Sequence, residues 1–161
     1  GKNMKKYHWF VVGLVLVLGI IGYLMSLYKW EPLRENKACA RLFHSQIVSI
    51  SLYQNATYPE WAVFDDEDLI LLWVEYFENM DIRRCSIFRM TDNIKTDGGG
   101  ASIITITTDD GEYSFGLYSK QDKCRLELGG YEYETTNVLD NPFDETYAEA
   151  VKRHGTVTPW E

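Results

Sequence analysis

The sequence predicts an α+β domain behind a single membrane-spanning helix. The predicted domain is one antiparallel β-meander sheet of five to six strands packed against two or three helices. Three observations carry this. Residues 9–28 hold no charge, several later segments alternate apolar and polar residues between turn signals, and two later segments have apolar residues at helical spacing with acidic starts.

The uncharged run from Trp9 to Tyr28 is long enough to cross about 30 Å of hydrocarbon at about 1.5 Å per residue. Tyr7 and Trp9 stand at one rim and Tyr23, Tyr28 and Trp30 at the other, where amphipathic rings favour the headgroup level. A cleaved signal would have a shorter apolar region with a small-residue site close behind it. Ala38-Cys39-Ala40 lies too far beyond Tyr28 for that, and no lipoprotein-type box precedes Cys39. A retained anchor is therefore expected, giving a basic tail (1–8), an anchor (9–28) and an acidic extracytoplasmic domain (29–161). Met4-Lys5-Lys6 reads as a bacterial start with Gly1-Lys2-Asn3 as an addition. The short basic tail favours an inside N-terminus, although Lys29, Arg34, Lys37 and Arg41 crowd the far rim. Eight residues before Trp9 are too few for a folded regulatory domain, so a self-contained transmembrane transducer is not expected.

All 24 acidic residues follow the run, with 13 of the 16 basic ones, so the domain carries a net −11. Phosphate backbones demand basic surface, so no nucleic-acid partner is expected. The same charge argues against lying flat on an anionic leaflet; it reads first as a solubilising surface and is compatible with a basic partner or a divalent cation.

The elements follow in order. Glu31 to Ser45 is predicted as a juxtamembrane helix with Pro32 in its first turn and Leu33, Ala40, Leu42 and Phe43 on its apolar side. Ile47 to Tyr53 alternates as a strand that buries Val48, Ile50 and Leu52. Asn55 to Glu60 is turn-rich, and Trp61 to Phe64 is a short strand. Asp65 caps the best helix, with Asp66, Glu67 and Asp68 at its positive end and a stripe of Leu69, Ile70, Leu72, Trp73, Tyr76, Phe77 and Met80. These carboxylates read as capping, not as a calcium loop, which needs alternate spacing around a glycine.

The meander then runs Cys85–Met90, a Gly98-Gly99-Gly100 loop, Ala101–Thr108, an Asp109-Asp110-Gly111 turn and Glu112–Ser119. A turn at Lys120–Lys123 leads to a strand through Cys124, Leu126 and Leu128, and Gly129-Gly130 leads to Tyr131–Glu134. Asn141 and Pro142 start a last helix with Tyr147, Ala148 and Val151 as its apolar side and Gly155 as its stop.

No phosphate loop, zinc spacing, nucleophile elbow or His-Glu-x-x-His is found, so no cofactor, metal or catalytic residue is assigned. Cys39, Cys85 and Cys124 are expected as buried reduced thiols, with a Cys85–Cys124 bridge as the alternative. The sequon Asn55-Ala56-Thr57 matters only in a eukaryotic secretory pathway. The alternation places Tyr53, Thr105, Thr107, Ser114, Tyr118, Arg125, Glu127, Glu132 and Glu134 on the sheet face away from the core. Tyr53, Thr105, Ser114, Tyr118, Arg125 and Glu127 are taken as the candidate binding residues, since tyrosine is favoured at interfaces.

The basic start, the single span, the Ile47 to Ile50 strand, the acidic-capped helix and the ending Leu126-Glu-Leu-Gly-Gly-Tyr131 resemble small membrane-anchored bacterial domains of unknown function. The resemblance implies a location and a fold class and carries no catalytic residues. The expected function is a membrane-anchored binding module, first an immunity-type or inhibitory partner of an exported protein. Alternatives are an accessory subunit of an envelope complex and a wall or lipid hydrolase using paired carboxylates.

Overall fold

In a computed structural model of the chain, residues 1–54, 58–85, 101–120, 123–136 and 141–158 are described. The features expected at Asn55–Thr57, Ser86–Met90, Gly98–Gly100 and the 121–122 turn lie outside them.

Helix α1 (Lys2–Leu27) contains the uncharged run, is long and apolar enough to cross a membrane, and buries none of its residues against the domain. Beyond it the chain is α+β. Among the described residues eight antiparallel strands form one open sheet, more than the five or six expected, in the order β1-β4-β8-β7-β6-β5-β2-β3. They are β1 (Glu31–Pro32), β2 (Ile47–Gln54), β3 (Tyr58–Phe64), β4 (Asp81–Arg84), β5 (Ala101–Thr108), β6 (Glu112–Lys120), β7 (Lys123–Leu128) and β8 (Tyr131–Thr135). Strands β5 to β8 are the expected meander. β2 and β3 extend it on one side, and β4 and β1 extend it on the other.

Period two accounts for the core. Ile50 and Leu52 of β2, Ile104 and Ile106 of β5, Phe115 and Leu117 of β6 and Leu126 and Leu128 of β7 are buried on one face. Val48, expected among them, is exposed, because it is the extra, unpaired residue of the bulge between Ile47 and Ser49. The β7–β8 turn is tight because Gly129 and Gly130 both take positive φ, +59° and +83°. At the β5–β6 turn the Thr108 hydroxyl accepts from the amides of Asp110 and Gly111, each at 3.2 Å.

Helices α2 (Glu67–Glu78) and α3 (Phe143–His154) cover that face. Leu69, Trp73, Tyr76, Phe77 and the following Met80 are buried as the stripe predicts, while Ile70 and Leu72 are half-buried. α2 carries the chain from β3 at one edge to β4, with five strands between them. It begins one residue later than expected, at an Asp66 cap. α3 buries Phe143, Thr146, Tyr147 and Ala150, leaving Ala148 exposed, and the Asn141 side chain accepts from the Phe143 amide at 3.1 Å.

One expected element is corrected. Glu31–Ser45 is not an α-helix. It is β1 followed by 3₁₀ turns at Leu33–Glu35 and Leu42–His44. Pro32 is extended, and Asn36 Oδ1 accepts from the Ala38 amide at 2.9 Å, a local turn that competes with a helix. Proline is tolerated there because β1 is an edge strand. β4 (Asp81–Arg84), a strand that the alternation did not predict, joins the far side of β8.

Candidate functional site

The strand registers place the sequence-predicted residues on one surface, opposite the core. Arg83, Glu134, Arg125 and Tyr118 stand in one row across β4, β8, β7 and β6. Glu132, Glu127, Gly116, Ile103 and Tyr53 form the next row, from β8 to β2. Ser114, Thr105 and Ser51 form the third. α2 and α3 both bury their apolar sides in the opposite core, so among the described residues neither helix covers these rows.

The side chains differ in what they offer. Tyr53 stacks on Trp61 of β3 with centroids 4.9 Å apart and planes 19° apart, making an aromatic platform at one end. Tyr118 donates to Glu127 at 3.0 Å and lies back over Gly116, where a Cβ would meet its ring at 3.2 Å. A side chain at 116 would need the Tyr118 ring to give by a few tenths of an ångström. Arg83 pairs with Glu134 and holds its guanidinium 4.8 Å from the centroid of the Trp30 ring. Ser114 is exposed, whereas Thr105 is buried between its neighbours and presents little surface.

Sequence reasoning passed over Trp61 and Arg83. Trp61 was legible, because Ala62 and Phe64 point inward and period two turns Trp61 outward. Arg83 was not, because its strand carries one buried apolar residue, Ile82.

The structure also assembles a charged clip that the sequence leaves 85 residues apart. Arg153 of α3 grips Asp68 of α2 with two bonds of 3.0 and 2.9 Å, reaches Asp66 at 3.2 Å and pairs with Glu149 one turn back at 3.0 Å. His154 Nε2 lies 2.6 Å from Asp66. The basic end of one helix thus meets the acidic start of the other, a favourable arrangement for both dipoles. The bond with His154, then those from Arg153, hold the Asp66 carboxyl below the usual range. Bonds from Arg153 do the same for Asp68, and in turn Asp68 and Glu149 raise the Arg153 guanidinium. Asp65, Asp66 and His154 bring their ligand atoms within 4.8 Å of one another, but the Arg153 guanidinium already supplies a cation to Asp66.

A pH dependence follows. Carboxylates whose folded pKa is lowered contribute stability above their unfolded value, about 4, and lose it as pH falls through the folded value. Melting temperature should therefore drop as the pH falls below about 4. In a double Asp66→Asn, Asp68→Asn variant that slope should flatten, with lower stability at neutral pH. An unchanged slope would mean that the clip contributes nothing.

Other groups are less promising for chemistry. The Cys39 thiol donates to the Leu33 carbonyl at 3.1 Å, and burial, with Glu31 nearby, pushes it up to about 12. It is a thiol and not a thiolate nucleophile at neutral pH. Cys85 is buried and reduced. β8 lies between its strand and that of Cys124, putting the two roughly 10 Å apart, too far for a bridge. Glu75 and Glu145, both exposed, border an open groove between α2 and α3. No hydrogen bond among the described residues holds either carboxylate, so the groove offers no positioned acid–base pair. Val48 and Leu71 are exposed apolar residues beside Asp65 and Glu67.

No family model matches the sequence, and no curated protein or solved structure shows significant similarity to it.

Proposed function

We propose that the chain is a membrane-tethered binding module whose contact surface is the sheet face bearing Tyr53, Trp61, Tyr118 and Glu127. α1 holds the domain at the outer face of a bacterial cytoplasmic membrane. There it meets an exported protein with a basic surface, as an immunity-type or inhibitory partner would. The observation that supports this reading is the aromatic and charged face on which no described helix packs. Stacked aromatics make a large contact area at low entropic cost, and such residues dominate binding energy at interfaces. The net −11 of the domain favours encounter with a basic partner.

The test uses the full chain in detergent as bait, with Tyr53→Ala, Trp61→Ala and, as a control on the helical side, Leu71→Ala. Loss of Tyr53 or Trp61 should weaken capture of the native partner about 30-fold, the size of a 2 kcal/mol hot spot. Leu71→Ala should capture like the parent. The reverse pattern would move the interface to α2 and defeat the assignment. Sequence identification of the captured protein separates an exported toxic or enzymatic target from an envelope complex.

A further inference from the structure

A groove of about 500 Å³ opens where the anchor meets the domain. Its walls come from distant parts of the chain. They are the last turn of α1 at Ser26 and Leu27, the linker at Lys29, the turn at Asn36–Ala38, the end of β4 at Arg84 and the β7–β8 hairpin at Gly129 and Tyr131. The hairpin and the turn touch closely. A Cβ on Gly129 would meet that of Ala38 at 3.3 Å, in a left-handed backbone that already favours glycine.

Lys29, Lys37 and Arg84 all line this groove. None of them forms an ion pair among the described residues, in a domain with almost twice as many acidic as basic groups. Arg84 is set in place by the ring of Tyr131, 4.0 Å below its guanidinium, and that ring is itself 51% exposed. Cations that share a groove without forming ion pairs repel one another, and an anion bound among them relieves that cost. Two carboxylates, Glu31 and Glu35, also border the groove, and Glu31 is engaged by the Asn36 side-chain amide at 3.3 Å.

Where α1 spans a bilayer, its last turn ends at the headgroup level, and the groove with it. We infer that the groove seats the phosphate of a phospholipid headgroup from the leaflet on the domain side. The inference rests on the reading of α1 as a membrane span. The acidic domain as a whole would be repelled by an anionic leaflet, so this basic spot would hold its base down and fix the tilt of the sheet face.

The test is native mass spectrometry of the full chain in detergent micelles with phosphatidylglycerol, or with diacylglycerol of the same acyl chains. The parent should retain phosphatidylglycerol and not diacylglycerol. Each substitution, Lys29→Gln, Lys37→Gln or Arg84→Gln, should lower retention about fivefold. Arg34→Gln, exposed and outside the groove, should change nothing. The single variants keep the test valid if the triple variant fails to fold. Equal retention of the two lipids, or variants that behave like the parent, would overturn the inference. Displacement by millimolar glycerol 3-phosphate would also overturn it, marking a site for free phosphate. Alkaline extraction of cell membranes tests the anchor separately. A chain that stays in the pellet supports the span, and one that is released overturns the span and the inference together.

Discussion

Trp73→Ala is expected to destabilise the domain by about 3–5 kcal/mol. Trp73 has no solvent exposure and lies midway along α2. Its indole N–H donates to the Thr146 hydroxyl at 3.0 Å, which ties α2 to α3. Its ring packs edge-on to Tyr76 at 5.8 Å and tilted on Phe77 at 5.6 Å, and Phe77 stacks on Phe115 of β6 at 4.6 Å. Both helices and the middle of the sheet therefore meet around this one side chain. Truncation opens a cavity that the flanking aromatics cannot close without leaving their own contacts. Against a total stability of about 5–15 kcal/mol, that loss is a large share. Trp73→Phe keeps most of the ring and should cost far less, about 1 kcal/mol for the hydrogen bond plus the missing volume. Urea unfolding of the two variants measures both. A loss below about 1 kcal/mol for Trp73→Ala would mean that the stripe of α2 does not pack on this core.

Deleting residues 1–28 is expected to move the protein from the membrane pellet to the supernatant while leaving one cooperative unfolding transition. No residue of α1 is buried, and the core begins at Leu33. The first tertiary bonds of the domain are made by later residues. Glu31 pairs with Ile82, and the Leu33 amide donates to the Met80 carbonyl at 2.9 Å. A spanning helix is a practically irreversible anchor, so the change in partition should be near-complete. A broad, non-cooperative transition in the shortened chain would show that the anchor contributes to the fold. Full-length protein in the soluble fraction would count against a span.

What the sequence revealed depended on how local each signal was. The long apolar helix α1, the alternation of β5 to β8, the Gly129-Gly130 hairpin and the stripe of α2 are written in neighbouring residues, and they were readable. β1 and β4 were not. They are two and four residues long, carry one buried apolar side chain between them and exist because β8 offers an edge to pair with. The Glu31–Ser45 segment misled because Leu33, Ala40, Leu42 and Phe43 look like one helical side, whereas the residues it buries are Leu33, Asn36, Cys39 and Leu42, and Asn36 closes a turn with its own side chain. For the candidate site, period two put Tyr53, Ser114, Tyr118 and Glu127 on a common face, as the registers have it. It could not show that Trp61 stacks on Tyr53, nor that Thr105 is crowded out of contact with solvent. The meeting of Arg153 with Asp66 and Asp68, and the groove at the foot of α1, join segments far apart in the chain. Nothing in local spacing encodes them.

Site-specific photocrosslinking in living cells tests the central claim most directly. A photoreactive residue placed at Ser114 or Tyr53 on the sheet face should yield one discrete, ultraviolet-dependent adduct with an exported protein. The same probe at Leu71 or Glu145, on the helical side, should yield none. An adduct only from the helical side, or identical adducts from both, would contradict the assignment of the sheet face as the binding surface.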